Sequence, residues 1–262
     1  MKVILFDIDT LRADHMGCYG YGRDTTPVMD GIAKEGVCFD RYYCPNAPCL
    51  PSRASMVTGL YGIHNGIVGH GGTAADLRLQ GESRSFTDLV SENGLFMQFK
   101  RAGLHTVSFS SFAERHSAWW FLSGLDEYYN PGLRGGESAD MVTPAVLNWL
   151  ERNREMEDWF LHVHYWDPHT PYRTPEGVKS QFQDEPLPDD WITDEIFEEH
   201  LLQRKVRIGM GYLTYTQLQG SIKSKGLHMQ QAAVLLLQDG HVLKQGVQRR
   251  VSCCFTAAQT KF

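Results

Sequence analysis

The 262-residue chain has no apolar run long enough to span a membrane, no internal repeat and no low-complexity tract. Those absences set aside a helical membrane protein and a repeat array. No signal peptide precedes the first apolar segment. "MKVILFDID" runs from the start methionine straight into core-like sequence, which places the protein in the cytoplasm. A basic excess is missing too: the formal charge is −6, giving no electrostatic reason to expect nucleic acid. Six cysteines (Cys18, Cys38, Cys44, Cys49, Cys253 and Cys254) form no C-x-x-C pair, so neither a structural zinc site nor a disulfide scaffold is expected. Cys44 and Cys49 are near enough in sequence to bridge, but a reducing cytoplasm disfavours that.

Acidic residues vanish near the end. From Leu201 to Phe262 there are nine Lys and Arg against one acid, Asp239, directly after the strongly acidic "DEIFEEH". This break divides the chain into residues 1–202 and a basic tail, 203–262. Out-of-frame translation or a truncated gene would give such a switch; a basic interaction tail is the plainer alternative.

What is present is ordinary globular material, 42% hydrophobic and 21% charged, with enough length for a full core. Residues 3–9 (VILFDID) read as a buried parallel strand ending in acid. "TTPVMDGIAKEG" reads as a helix, with Thr26 as cap, Pro27 in its first turn and Gly36 at its end. Residues 37–43 suggest a strand. Cys49 to Gly59 suggest a helix with Pro51 and Ser52 in its first turn. A helical pattern from Ser85 to Ala102 is interrupted at Gly94, and Gly103 precedes the strand LHTVSFS. Helix Ser138–Asn153 and strand Trp159–Tyr165 follow. Alternating strands and helices predict an α/β fold, a mostly parallel central sheet sandwiched by helices.

Two patterns carry chemistry. Asp7 and Asp9, two apart at a strand end, share a face and could bind a hard cation through oxygen. They could equally be solvated loop acids. D-x-D after an apolar strand also resembles the haloacid dehalogenase-like phosphatases, but those usually continue with Gly-Thr, and here Thr10 follows Asp9 directly. Cys49 and Arg53, four apart, share a helix face beside an N-terminus suited to a tetrahedral oxyanion. A buried inert cysteine is the commoner explanation of such a thiol taken alone.

Taken together, Cys49-Leu50-Pro51-Ser52-Arg53 with Thr58-Gly59 closely resembles the C-x-P-S-R block of the sulfatase family. "DTLRADHMGCYG" (Asp9–Gly20) resembles that family's amino-terminal metal block, and "WFLHVHYWDPHTPY" (Trp159–Tyr172) its histidine-bearing strand and loop. The resemblance covers roughly residues 3–175. It implies an alkaline phosphatase-like fold, incomplete in this chain, and hydrolysis of a sulfate ester, on a small molecule or a carbohydrate. It implies conversion of Cys49 to formylglycine by a separate maturation enzyme. The hydrated aldehyde offers one hydroxyl to attack sulfur and a second to eliminate sulfate. A divalent metal is implied, Ca²⁺ by preference with Mg²⁺ or Mn²⁺ as alternatives, near Asp9, Thr10 at the second acid position, Asp7 as a compensating acid, and residue 49. Arg53 matches the arginine that steadies the nucleophile, and His169 the histidine that contacts sulfate or protonates the leaving oxygen.

The sequence also departs from the family. Many relatives carry Gly-Lys-Trp-His where Ser110-Ser111-Phe112-Ala113 stands, leaving His70, Arg115 or His116 to contact sulfate. Leu60 replaces a basic residue after Thr-Gly. The later Asp-His-Gly or Asp-Asn-Gly strand ending is missing; "VLLLQDGH" (Val234–His241) has the wrong order and reads as a hairpin. Phosphonate and phosphate ester hydrolases of the same superfamily, or an inactive fragment, are the alternatives. No membrane and no nucleic-acid partner are expected.

Overall fold

The computed structural model describes residues 1–77 and 92–169, Phe182, and two short strands farther on. The chain divides into two compact units, one of Met1–Arg173 with Met229–Gln259, the other of Thr174–His228 with Thr260–Phe262. The described strands and helices belong to the first unit. The expected boundary between 202 and 203, the 85–91 part of the expected long helix, and the turn at Asp239 all lie outside the described residues.

Seven strands form one sheet: β1 (Lys2–Ile8), β2 (Val37–Tyr42), β3 (His105–Phe109), β4 (Glu127–Tyr129), β5 (Trp159–Tyr165), β6 (Ala233–Leu235) and β7 (Cys254–Ala258). Their order is β2-β7-β6-β1-β5-β3-β4. β1, β5, β3 and β4 run parallel, as does β2 with β7, while β6 is antiparallel to both of its neighbours. The helices are α1 (Pro27–Glu35), α2 (Cys49–Thr58), α3 (Gly62–Asn65), α4 (Leu95–Arg101), α5 (Phe112–His116) and α6 (Ala139–Arg152). The mostly parallel sheet is thus the one expected, with the two tail strands added between β2 and β1.

Strand alternation sorts β1 between two cores. Val3 and Leu5 join Leu50, Ala54 and Val57 of α2, Phe96 of α4, and Phe160. Ile4 packs on the other side with Val107, Leu161, Val163 and the Val142, Val146 and Trp149 stripe of α6. Each such side chain, fully buried, contributes about 1.5–3 kcal/mol. α2 is buried nearly all round, from Cys49 to Thr58, and ends at Gly59 with φ +70°. Thr26 does stand before α1, but its hydroxyl does not cap the helix. It accepts from Gly17 N at 3.1 Å and pairs with Asp30 Oδ1 at 3.0 Å, tying α1 to the loop after β1.

Candidate active site

The same alternation that places Val3 and Leu5 against α2 carries Asp7 to that face, at the carboxyl end of the sheet where α/β folds bind ligands. In register, Asp7 lies beside His164, and His162 beside Ser108. The face therefore changes along each strand from apolar to polar in matching rows. Ser108 Oγ is 2.8 Å from His162 Nδ1, and Ser110 Oγ is 3.0 Å from His164 Nδ1.

Arg53 descends from α2 onto these rows. Its Nε and Nη2 donate to the two oxygens of Asp7 at 2.6 and 2.7 Å, and Nη1 donates to Asp9 Oδ2 at 2.8 Å. Nη2 also lies 2.9 Å from His164 Nε2. All of these groups are buried. Burial opposes ionisation of Asp7, but Arg53, then His164 and His162, hold its carboxyl far below the usual range. Burial likewise works against the Arg53 charge, and Asp7 and Asp9 restore it and raise its pKa above the ordinary value. His164 is pushed well below its ordinary pKa by burial and by Arg53, with Asp7 acting the other way. Two carboxylates and one guanidinium leave this cluster one negative charge in excess.

Thr10 supplies its hydroxyl to Asp9 Oδ1 at 2.7 Å from a backbone with φ +65°. A β-branched residue there is strained, and such strain gathers at functional sites. A hard divalent cation takes about six to eight oxygens. Here both oxygens of Asp7 and both of Asp9 are already engaged. Among the described residues the cluster of three or more His, Cys, Asp or Glu ligand groups lies elsewhere. Among the described residues, these two carboxylates, each paired with Arg53, supply too few oxygens for such a shell.

Cys49 opens α2 and is buried. Its Sγ lies 3.0 Å from His70 Nε2 and 3.5 Å from His116 Nε2. His70 arrives on the loop after α3. At the end of α3 Asn65, fully buried, donates to Thr58 Oγ1 and Leu60 O and accepts from Ile67 N. The Thr-Gly that ends α2 is thus the anchor of the loop bearing His70. His116 is delivered by α5, which begins directly after Ser110 and Ser111. Those serines are buried supports: Ser110 Oγ accepts from Phe112 N at 3.0 Å, and Ser111 Oγ accepts from Trp166 Nε1 at 3.1 Å. Burial, then the charges of His70, Arg115, Arg53 and His169, press the His116 pKa down to about 3.

Trp166 joins the two groups of residues. Its ring lies 4.2 Å from that of His164 and 5.5 Å from that of His169, with the Arg53 and Arg115 guanidinium carbons 5.7 and 4.8 Å away. Cys49, His70 and His116 therefore meet, Arg53 meets Asp7 and Asp9, and His169 packs edge-on against Trp166. Arg115, stacked over Trp166, also donates to Arg134 O at 2.7 Å. Cys44 does not bridge to Cys49; both remain thiols, and Cys44 Sγ contacts Ser52 Oγ at 3.0 Å. The residues that pattern reading passed over are His162, His164, Trp166 and Asn65. The alternation in "HVHYW" already put His162, His164 and Trp166 on one face, and the acid pair on β1 was the signal that this face was polar.

Comparison with known proteins gives the family and the fold. The family profile described as Sulfatase matches residues 2–217. The chain is 29% identical over 179 residues to N-acetylglucosamine-6-O-sulfatase of Bacteroides thetaiotaomicron, covering 64% of this chain and 30% of that one. It is 23% identical over 250 residues to an arylsulfatase of Clostridium perfringens, covering 74% of this chain and 49% of the relative. It therefore spans between about a third and a half of these relatives' lengths. A structure solved with its substrate D-glucosamine-2-N,6-O-disulfate superposes with TM-score 0.51 and 23% identity, over 71% of this chain and 38% of that one. That likeness concerns the fold, the alkaline phosphatase-like α/β arrangement. No helix among the described residues is long and apolar enough to cross a membrane.

Proposed function

The chain belongs to the sulfatase family, and we propose that Cys49, matured to formylglycine, serves the hydrolysis of sulfate esters on carbohydrates. The observation that carries this reading is Cys49 as the first residue of α2 with two imidazole nitrogens at 3.0 and 3.5 Å. Formylglycine suits such a place, because its hydrated aldehyde brings one hydroxyl to attack sulfur and a second to release sulfate, and both need hydrogen-bonding partners. His70 and His116 are those partners. Arg53, fixed by Asp7 and Asp9, sets the position of α2 and so of residue 49 relative to the strand ends. The N-terminus of α2 favours the sulfate oxyanion. His169 protonates the oxygen of the leaving alcohol. Arg115 adds positive charge beside Trp166, which favours a sulfated sugar. The sugar class rests on the relative named N-acetylglucosamine-6-O-sulfatase. No step is assigned to a metal.

The test is peptide mass spectrometry across Tyr43–Arg53 after co-expression with a maturation enzyme, followed by assay on 6-O-sulfated N-acetylglucosamine and on phosphonate esters. Aldehyde at residue 49 is expected, with sulfate release that is slow for this chain alone but preferred over phosphonate cleavage. An unmodified thiol in active enzyme would overturn the nucleophile, and preferred cleavage of phosphonate would overturn the substrate class.

A further inference from the structure

We propose that the unmatured chain binds a zinc-class cation through Cys49 Sγ, His70 Nε2 and His116 Nε2. This inference concerns the thiol form and stands apart from the sulfatase reading. The three ligand atoms lie within 4.8 Å of one another, the two nitrogens 3.0 and 3.5 Å from sulfur. A tetrahedral zinc, with bonds of about 2.3 Å to sulfur and about 2.0 Å to nitrogen, holds such atoms about 3.5 Å apart. The ligands need only small side-chain adjustments to meet that spacing.

Their chemistry agrees with their geometry. One thiolate and two imidazoles form a soft to borderline N/S set, which prefers zinc over calcium or magnesium. Leu50 N–H points at His70 Nε2 from 3.3 Å, so this nitrogen is an acceptor whose lone pair faces the start of α2. The contact is long and easily exchanged for a metal bond. Cys49 is held in place by the buried start of α2, His116 by α5, and His70 by the Asn65-anchored loop. His70 is exposed, giving the ion an entry path. Arg53 and Arg115 oppose positive charge here, as they oppose a proton on His116, and the carboxylates of Asp7 and Asp9 together with the Cys49 thiolate offset them. On binding, the sulfur–metal bond forms and the thiol proton leaves to solvent; no electron moves.

Such a site would shield Cys49 from the enzyme that must oxidise it, and it disappears once the sulfur is gone. The decisive experiment uses the full 262-residue chain from a host without a maturation enzyme, with residue 49 verified as thiol by peptide mass. Titration with Co²⁺ is followed by absorption. We expect a thiolate-to-cobalt charge-transfer band and the intense visible bands of tetrahedral cobalt, both removed by one equivalent of Zn²⁺ and unmoved by excess Ca²⁺. Cys49→Ser should abolish the charge-transfer band. His70→Gln and His116→Gln should each weaken binding at least about tenfold, since even the loss of a group that only supports a metal ligand typically costs about 10–100-fold in affinity. Far-ultraviolet circular dichroism confirms the fold of each variant. A missing band, a band that persists in Cys49→Ser, or affinity unchanged by both histidine substitutions would overturn the site. None of these readouts depends on turnover, so failure of the sulfatase reading would leave them intact.

Discussion

Arg53 is the residue on which the buried end of the sheet depends. It neutralises one of two carboxylates that are shut away from water, and it touches His164 as well. Removing one partner of a buried pair typically costs about 3–5 kcal/mol, so Arg53→Met should lower unfolding free energy by that amount in urea titrations. The Asp7 contribution has a definite pH sense. Its folded pKa is depressed, so the stabilisation is complete above the ordinary value of 3.8 and drains away as pH falls below it. His116 acts in a different window. Its pKa falls from 6.5 to about 3, so the unfolded chain binds the extra proton between those values, and stability declines as pH drops through them. His116→Gln should reduce the slope of the urea midpoint across that window in chelator-treated protein, His164, also held well below its ordinary value, supplying the remainder. An unchanged slope would mean that His116 is not held neutral. For His169, replacement by alanine should slow cleavage of poor leaving groups on the order of 10²–10⁴-fold and activated phenols far less. Equal losses across leaving groups would assign His169 to binding instead of proton donation.

Among the elements, α4 shows how closely the polar face is backed. Gly124 has φ +87°, and a Cβ there would stand 2.7 Å from Met97 Cα and 2.9 Å from the Phe96 carbonyl carbon. Phe96 is fully buried, with its ring 5.7 Å from those of Phe160 and His162. Gly124→Ala should therefore combine a left-handed backbone cost of about 1–2 kcal/mol with displacement of α4. Gly59→Ala, whose φ is +70° with nothing within 4 Å, should show the backbone cost alone. Thermal melts of the two variants should rank Gly124→Ala as the more destabilised; parity would mean that α4 yields freely. Element types were readable because they rest on local period and punctuation: β1, α2 ending at Gly59, and β5 all fall where apolar runs and glycines put them. Partners across the sheet were not readable to the same degree. Asp7 looked like a candidate cation ligand because the sequence places it beside Asp9. Its engagement by Arg53 depends on how α2 crosses β1, a long-range fact. His164 was missed for the same reason, since a histidine in a buried strand has meaning only once its neighbour strand supplies Asp7. Cys49 was legible because its motif is local. Thr58 was legible as a helix end but not as the anchor of Asn65 and, through it, of His70.

For the whole molecule, the question is whether this chain by itself holds the hard cation that sulfatases generally use. The sheet brings two carboxylates to its carboxyl end, but their four oxygens already accept from Arg53 and Thr10. A calcium ion entering there would have to displace an arginine whose own charge is stabilised by both acids, and then find further oxygens to complete a shell of about six to eight. The family profile extends to residue 217, past the charge break near 202, and β6 and β7 extend the sheet from β1 towards β2. Neither strand sequence, AVL or CFTAA, contains a carboxylate. Ligand binding to the native state raises stability by RT ln(1 + [L]/Kd), so a tight calcium site would reveal itself as a concentration-dependent rise in melting temperature. We expect the melting temperature of the 262-residue chain to change little between chelator and millimolar Ca²⁺, and calorimetric titration to give weak heats. Sulfatase turnover by the matured chain alone should be correspondingly low. A large calcium-dependent rise in melting temperature with ordinary turnover would show that residues outside the described set bring the missing oxygens and draw Asp9 away from Arg53.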